Sequence, residues 1–298
     1  MRRVTEARNP SSRDLDLLAT VDILRVINRE DQSVPRVVAT VIPTLALAVD
    51  ETVARLRAGG RVFYVGAGTS GRLGVLDSSE IPPTFGVPTV LFQGVIAGGY
   101  GACHSATEAS EDDAAHGGRD LQARGCCGTD VVLGIAASGE TPYTRGAIAW
   151  ARRAGALTIA LCCNPDSPLA QLAELAVTPV VGPEVLAGST RMKAGTAQKL
   201  VLNMFSTATM VRLGHVYSNW MVNLEMKNNK LEQRGLRILV EATGKSEDQC
   251  RTALAAAGTD LKVALVMLLA GVPSETARRQ LEGSAGNVRA ALQHAAGS

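Results

Sequence analysis

Five short, almost entirely apolar runs alternate with longer helical stretches, and this alternation limits the folds that the chain can adopt. Runs of this kind are typical of parallel strands that are covered by helices on both faces. The sequence therefore predicts an α/β fold with a doubly wound parallel sheet of about five strands. The predicted strands cover residues 61–65, 89–93, 130–135, 156–162 and 176–181.

The remaining segments predict helices on either side of this sheet. Apolar spacing predicts one helix over 14–31 and a second from about Pro35 to Gly59, which Pro43 could kink. Further helices are predicted over 200–213, from Trp220 to about Leu231, and as three short helices after Gly235. We divide the chain into an N-terminal helical arm (1–55), an α/β domain (56–234) and a C-terminal helical bundle (235–298).

Two loops rich in glycine and hydroxyl groups follow predicted strands where helices should begin, at Gly66–Gly71 and Ala137–Pro142. At such turns free backbone N–H groups and the positive end of the helix dipole point at one spot. Carboxyl ends of parallel strands meet at one edge of a sheet, so both loops should lie there. Together the two loops predict a binding site for one phosphate monoester. The candidate residues are Gly68, Thr69, Ser70, Ser138, Gly139 and Thr141.

Two alternatives compete with phosphate binding. The first loop also fits the dinucleotide pattern G-x-G-x-x-G, which needs an acidic residue at the end of the second strand. The predicted second strand is followed by Gly94 and no carboxylate, and the dinucleotide model leaves the second loop unexplained. That loop could instead be a helix N-cap before Pro142, because capping uses the same donors.

Composition narrows the class of partner. The net charge is +2 without a block of like charges, and aromatic residues make up only 3%, so we expect neither nucleic acid nor a membrane surface as partner. The chain shows no signal-peptide pattern and no apolar run of about 18 residues, which predicts a cytoplasmic protein. The six cysteines and four histidines lack metal-ligand spacing, so we expect reduced thiols and no metal.

Longer motifs resemble one family along nearly the whole chain. The two loops are similar to those of the sugar isomerase (SIS) family, whose members bind phosphorylated sugars. The full set of motifs resembles one branch of it, the N-acetylmuramic acid 6-phosphate etherase family, with a departure at Glu140, where that branch usually has arginine. These motifs cover residues 5–9, 27–31, 66–87, 96–99 and 188–199.

The resemblance implies a cofactor-free lyase. Such an enzyme uses water to split the D-lactyl ether of N-acetylmuramate 6-phosphate, giving N-acetylglucosamine 6-phosphate and D-lactate by elimination and then hydration. The resemblance also implies a homodimer, a role in murein sugar catabolism or recycling, and a C-terminal bundle similar to ubiquitin-associated domains. It assigns catalysis to Glu80 and Glu111, and substrate binding to Ser189 and Lys193 as well as to the loops.

Local sequence makes both glutamates unusual as purely structural residues. Glu80 directly precedes Ile81-Pro82-Pro83, which predicts a position near a helix C-terminus, where a negative charge opposes the dipole. Glu111 is predicted to share a helix, and repulsion, with Glu108 and Asp112. A solvated acidic helix face is the alternative for Glu111.

The spacing of these residues raises a geometric problem. A continuous helix from Ser70 to Glu80 would separate them by about 15 Å along its axis, which is more than a hexose phosphate spans. Either Gly74 interrupts this helix, or Glu80 serves the site of the partner subunit; we favour the second.

Three other functions share part of this pattern. A catalytically silent sugar-phosphate sensor is one, because glucokinase regulatory protein resembles a larger relative of this chain. An aldose–ketose isomerase of sugar phosphates would share the enolisation step. An NAD-dependent dehydrogenase would use the first loop alone.

Overall fold

The computed structural model describes residues 4–105, 108–224, 226 and 229–296, with backbone alone for residues 108, 109, 230 and 294–296. The described chain forms two compact units. The first contains the residues up to Ser79 and from Thr89 to Ser206; the second contains Glu80–Pro88 and the residues from Thr207 onward. The three-part division into 1–55, 56–234 and 235–298 stays a prediction.

The first unit is built around a five-stranded parallel sheet with the order β2-β1-β3-β4-β5. Every residue of β1, β3 and β4 is buried, as expected for strands covered on both faces. The predicted fold class is therefore confirmed. The strands are β1 (Val62–Gly66), β2 (Phe92–Ile96), β3 (Val131–Ile135), β4 (Leu157–Leu161) and β5 (Leu175–Val177).

Helices cover both faces of this sheet. On one face Phe63 and Val132 pack with Ile148 of α6 (Pro142–Arg153) and Leu121 of α5 (Ala114–Ala123). On the other face Tyr64 contacts the ring of Phe205, which lies on α8. The other helices with residues in this unit are α1 (Thr20–Asp31), α2 (Val34–Thr40), α3 (Ile42–Arg57), α4 (Gly68–Phe85), α7 (Pro168–Leu172) and α8 (Lys193–Arg212).

The second unit is mainly helical. A short antiparallel hairpin, β6 (Val216–Tyr217) and β7 (Trp220–Met221), precedes five helices whose apolar residues form a separate core. Leu239, Cys250 and Leu265 are fully buried in it. The helices are α9 (Asn229–Thr243), α10 (Glu247–Ala256), α11 (Leu261–Ala270), α12 (Ser274–Gly283) and α13 (Val288–Ala296).

Several predicted element bounds are wrong. The N-terminal helix begins at Thr20, after three 3₁₀ turns, and β2 begins three residues later than predicted. Residues Trp220 and Met221 form a strand rather than the start of a helix. The described residues from Gly235 onward hold the rest of α9 and four further helices, where three were predicted. The kink expected near Pro43 is confirmed: α2 ends at Thr40, and α3, which begins at Ile42, is bent by 57° from the helical segment Thr20–Thr40.

No helix in the described ranges meets both the length and the apolarity required to cross a membrane as a single straight segment. The bent pair Thr20–Thr40 and Ile42–Arg57 meets those criteria by length and composition alone.

Candidate active site

The candidate site lies at the carboxyl edge of the sheet, where the chain order reverses. From β1 the chain continues to β2 on one side, whereas β3 pairs with β1 on the other side. Ligands of open α/β sheets bind in the crevice at such a switch point. Gly66 and Ile135, the last residues of β1 and β3, are partners in the sheet. The two loops therefore leave the sheet from neighbouring strands.

The first loop leads into α4 through a left-handed residue. Gly68 has φ +52°, and a Cβ at this position would lie 3.0 Å from Oε1 of Glu111. Gly71 has no room for a side chain, because a Cβ there would lie 2.7 Å from the carbonyl oxygen of Gly66. The loop therefore passes close to the Glu111 carboxylate at Gly68, where a side chain would crowd it.

Helix α8 packs directly against the start of α4. The Cγ2 methyl of Thr69 faces Gly195, where a Cβ would be 3.6 Å away. One turn further along α8, Oε1 of Gln198 accepts a hydrogen bond of 3.0 Å from Oγ of Ser70. Both Ser70 and Gln198 are buried. These contacts fix the first turn of α4 against α8.

The second loop is held by its own backbone and by neighbouring polar groups. Oγ of Ser138 accepts a 3.2 Å hydrogen bond from the backbone N–H of Glu140. Gly139 has φ +71°, and the side chain of Ser167 leaves no room for a Cβ there. Thr141 is the N-cap residue of α6, but its hydroxyl makes no capping bond. The predicted N-cap position before Pro142 is therefore confirmed, although the Thr141 side chain makes no capping bond.

Glu111 lies beside the first loop but not on a regular helix. It ends a 3₁₀ turn, Glu108–Glu111. Two residues later, Asp113 caps α5 by accepting a hydrogen bond from the N–H of His116. The predicted helix that would hold Glu108, Glu111 and Asp112 on one face is therefore wrong. The predicted repulsion between Glu108 and Glu111 is not tested, because the structure describes only the backbone of residue 108.

Glu80 lies in the middle of the last turns of α4, and it is exposed and belongs to the second unit. The helix continues through Pro82 and Pro83 to Phe85, so Glu80 lies near the helix C-terminus as predicted, but the helix does not end at the two prolines. Gly74 does not interrupt the helix; a Cβ there would meet Tyr64 and Ile135. An interruption at Gly74 is therefore excluded as the explanation for the spacing of Ser70 and Glu80, and the partner subunit's site stays a prediction.

The segment before α8 forms a buried ion-pair network. Nζ of Lys193 lies 2.7 Å from Oε2 of Glu30, and Nδ2 of Asn9 donates to the same oxygen at 2.8 Å. Burial alone would raise the pKa of Glu30, but the hydrogen bonds from Lys193 and Asn9 outweigh it and lower this pKa. The carboxylate of Glu184 accepts from the N–H groups of Lys193 and Ala194, which starts α8 at Lys193 rather than near residue 200.

The sequence-based interpretation gave no role to three residues of this region: Glu30, Glu184 and Gln198. Each falls in or beside a motif, but the signal that distinguishes them is a polar side chain at a buried position. Ser189, by contrast, was predicted as a substrate ligand; its N–H is bonded to the carbonyl oxygen of Leu186 at 2.9 Å. Its role in binding stays a prediction, as does that of Lys193.

Comparisons with known proteins agree with this architecture. Residues 44–152 match the glucokinase regulatory protein N-terminal SIS domain, and residues 126–208 match the SIS domain. A phosphoheptose isomerase from Francisella tularensis, 17% identical with a TM-score of 0.52, covers 65% of this chain and 100% of its own; this likeness shows the fold alone.

Two relatives match almost end to end. The N-acetylmuramic acid 6-phosphate etherase of Pectobacterium atrosepticum is 55% identical over 289 residues, which are 97% of this chain and 95% of that protein. The N-acetylmuramic acid 6-phosphate etherase of Serratia proteamaculans is 53% identical and covers 97% of both.

Proposed function

The chain belongs to the N-acetylmuramic acid 6-phosphate etherase family, and we propose that it uses water to cleave the D-lactyl ether of N-acetylmuramate 6-phosphate. The products are N-acetylglucosamine 6-phosphate and D-lactate. The observation that carries this proposal is the position of Glu111 against Gly68, because it sets a carboxylate beside a loop suited to phosphate.

The phosphate is bound by the two loops of the switch point. The start of α4 offers backbone N–H groups and the positive end of the helix dipole. Ser70 and Ser138 add hydroxyl groups to the neighbouring loops, and Thr141 adds one that is not used in capping. The proposed ligands are therefore mainly neutral donors, which suit a phosphate monoester.

The reaction itself needs two proton transfers. The C3 ether is a poor leaving group until ring opening gives the C1 aldehyde, which makes the C2 proton acidic. One carboxyl then removes the C2 proton, and a second protonates the departing lactate oxygen; water adds to C3 by the reverse steps. We assign these transfers to Glu111 and to Glu80, the latter acting in the site of the partner subunit. General acid–base catalysis of this kind contributes about 10²–10⁴-fold per group.

A homodimer is part of this proposal. Its support in this chain is an apolar stripe at the N-terminus, where Leu17, Val21 and Leu24 are 79%, 51% and 60% exposed. Burying such a stripe against a second copy would remove this apolar surface from water.

We also propose a cytoplasmic location, consistent with six free cysteines.

The test is incubation of the chain with N-acetylmuramate 6-phosphate, followed by an assay of free lactate. In H₂¹⁸O, label should enter the C3 hydroxyl of the N-acetylglucosamine 6-phosphate formed. Binding of the substrate without lactate release would refute the lyase and favour the sugar-phosphate sensor. A ketose product would favour the isomerase.

A further inference from the structure

Gln198 is a fully buried polar side chain that touches the phosphate loop. It lies on α8, and its Oε1 accepts the 3.0 Å hydrogen bond from Oγ of Ser70. Its other terminal atom, Nε2, is buried and has no hydrogen-bond partner among the described residues. The amide is therefore half satisfied, at a point where a ligand is expected to arrive.

An apolar residue would be more favourable here if Gln198 had only a packing role. The neighbouring positions on α8 are apolar and fully buried, among them Ala194, Ala197 and Val201. A buried N–H group without a partner costs about 1–3 kcal/mol. Glutamine at this position therefore lowers stability in this state, and the amide requires another explanation.

The direction of the Ser70 hydrogen bond supplies that explanation. A phosphate dianion only accepts hydrogen bonds, so the Ser70 hydroxyl can bind it only by donating its proton. In the structure that proton is directed at Oε1 of Gln198.

Rotation of the carboxamide by 180° reverses the direction of this hydrogen bond. The terminal torsion of a glutamine is broad and nearly two-fold, so the exchange of Oε1 and Nε2 is inexpensive. After it, Nε2 donates to Oγ of Ser70, and Oε1 takes the place that Nε2 had. The number of bonds made by the amide is unchanged, but the Ser70 proton is released toward the ligand.

We propose that Gln198 is a positioning residue that reverses the Ser70 hydrogen bond when a sugar phosphate binds. Gln198 does not touch the ligand; it acts through the Ser70 hydroxyl alone. This inference rests on the proposed function, because it assumes that the phosphate group lies at the first turn of α4. It adds a determinant of phosphate affinity that is separate from the catalytic glutamates.

The experiment measures binding of N-acetylglucosamine 6-phosphate to the full chain by calorimetry. The variants are Gln198→Met, Ser70→Ala and the double variant. A hydrogen bond to a charged group is worth about 1.5–3 kcal/mol, so each single variant should weaken binding about 10-fold or more. Since both act on one hydroxyl, the double variant should bind no more weakly than Ser70→Ala, to within about twofold.

Kinetics and controls separate positioning from damage to the fold. Gln198→Met should raise KM for N-acetylmuramate 6-phosphate by the same factor, with kcat within about twofold and Tm unchanged or higher. Gln198→Glu, which can only accept, should bind at least as weakly. Asn203→Ala is the matched control on α8: it removes a 2.8 Å bond to Asp77 and should lower Tm without changing affinity.

The outcomes are distinct. If the wild-type chain binds the sugar phosphate but Gln198→Met does so equally well, or if the effects of the two single variants add, the inference is refuted. If the wild-type chain binds no sugar phosphate, the proposed function is refuted, and the inference with it.

Discussion

Gly68→Ala is the substitution that tests most directly whether Glu111 works at the first loop. The added Cβ would lie 3.0 Å from Oε1 of Glu111, closer than ordinary contact, so the carboxylate must move by a few tenths of an ångström. Gly68 also has φ +52°, and alanine in this left-handed region loses about 1–2 kcal/mol. The substitution therefore acts both on stability and on the position of a proposed catalytic group.

The two effects can be separated by a matched glycine. Gly59 has φ +87°, and a Cβ there would have nothing within 4 Å. Gly59→Ala should thus show the same backbone strain, about 1–2 kcal/mol in urea unfolding, without any effect at the site. In a domain of 150–250 residues each kcal/mol corresponds to a fall in Tm of roughly 2–4 °C.

The activity assay is lactate release from N-acetylmuramate 6-phosphate. A misplacement of about 1 Å can lower catalysis about 100-fold, so a shift of a few tenths should lower kcat/KM of Gly68→Ala about 10-fold. Gly59→Ala should keep kcat/KM within about twofold of the wild type. Equal kcat/KM in both variants, with equal losses of stability, would show that the Glu111 carboxylate is not used where the structure has it.

Two further predictions concern the subunit interface and the buried ion pair. In the first, Glu80→Gln and Glu111→Gln chains are mixed and allowed to exchange subunits. If the site is shared, half of the random dimers are mixed and each has one intact site of its two, so activity should return to on the order of a quarter of the wild type. No recovery would mean that both glutamates serve one subunit's site. The pKa of Glu30 is lowered in the folded chain by its bonds to Lys193 and Asn9 despite its burial, so its contribution to stability is present above the usual glutamate pKa of about 4.3 and is lost as the pH falls through the lower folded value. Urea unfolding of Glu30→Gln should accordingly show lower stability at pH 7 and a weaker loss on acidification, and an unchanged pH profile would contradict the role of this pair.

The sheet and its loops were predictable because both depend on local sequence. The apolar run that contains β1 ends directly at the glycine loop, and β3 ends directly before the second loop. The start of β2 was not predictable in this way, because Val90 and Leu91 extend the apolar pattern although Val90 is 55% exposed. Pairing with β1 fixes the register from Phe92 onward, and that pairing is a tertiary contact.

Helix α4 shows more clearly that tertiary contacts can set the end of an element that local sequence does not predict. Two successive prolines normally end a helix near the preceding residue, because they lack N–H donors. Here the helix continues to Phe85, where Nδ2 of Asn223 donates to the Phe85 carbonyl oxygen at 2.6 Å, and Gly86 follows with φ +59°. This cap comes from a residue 138 positions away. No local rule could have supplied it, and for that reason the helix runs past the two prolines that were expected to end it.

The ion pair of Lys193 changes how phosphate recognition should be understood. A lysine in a motif predicts a cation for the phosphate, yet the Lys193 side chain is only 3% exposed and its Nζ lies 2.7 Å from Oε2 of Glu30. The charge of such a pair is balanced within the protein, so little of it is left to attract an anion. Affinity must then depend on oriented N–H and O–H groups, whose strength falls steeply when a donor points the wrong way. In a site of this kind, the exchange of Oε1 and Nε2 of Gln198 should change the affinity for phosphate, because it redirects the Ser70 hydroxyl even though no charge changes.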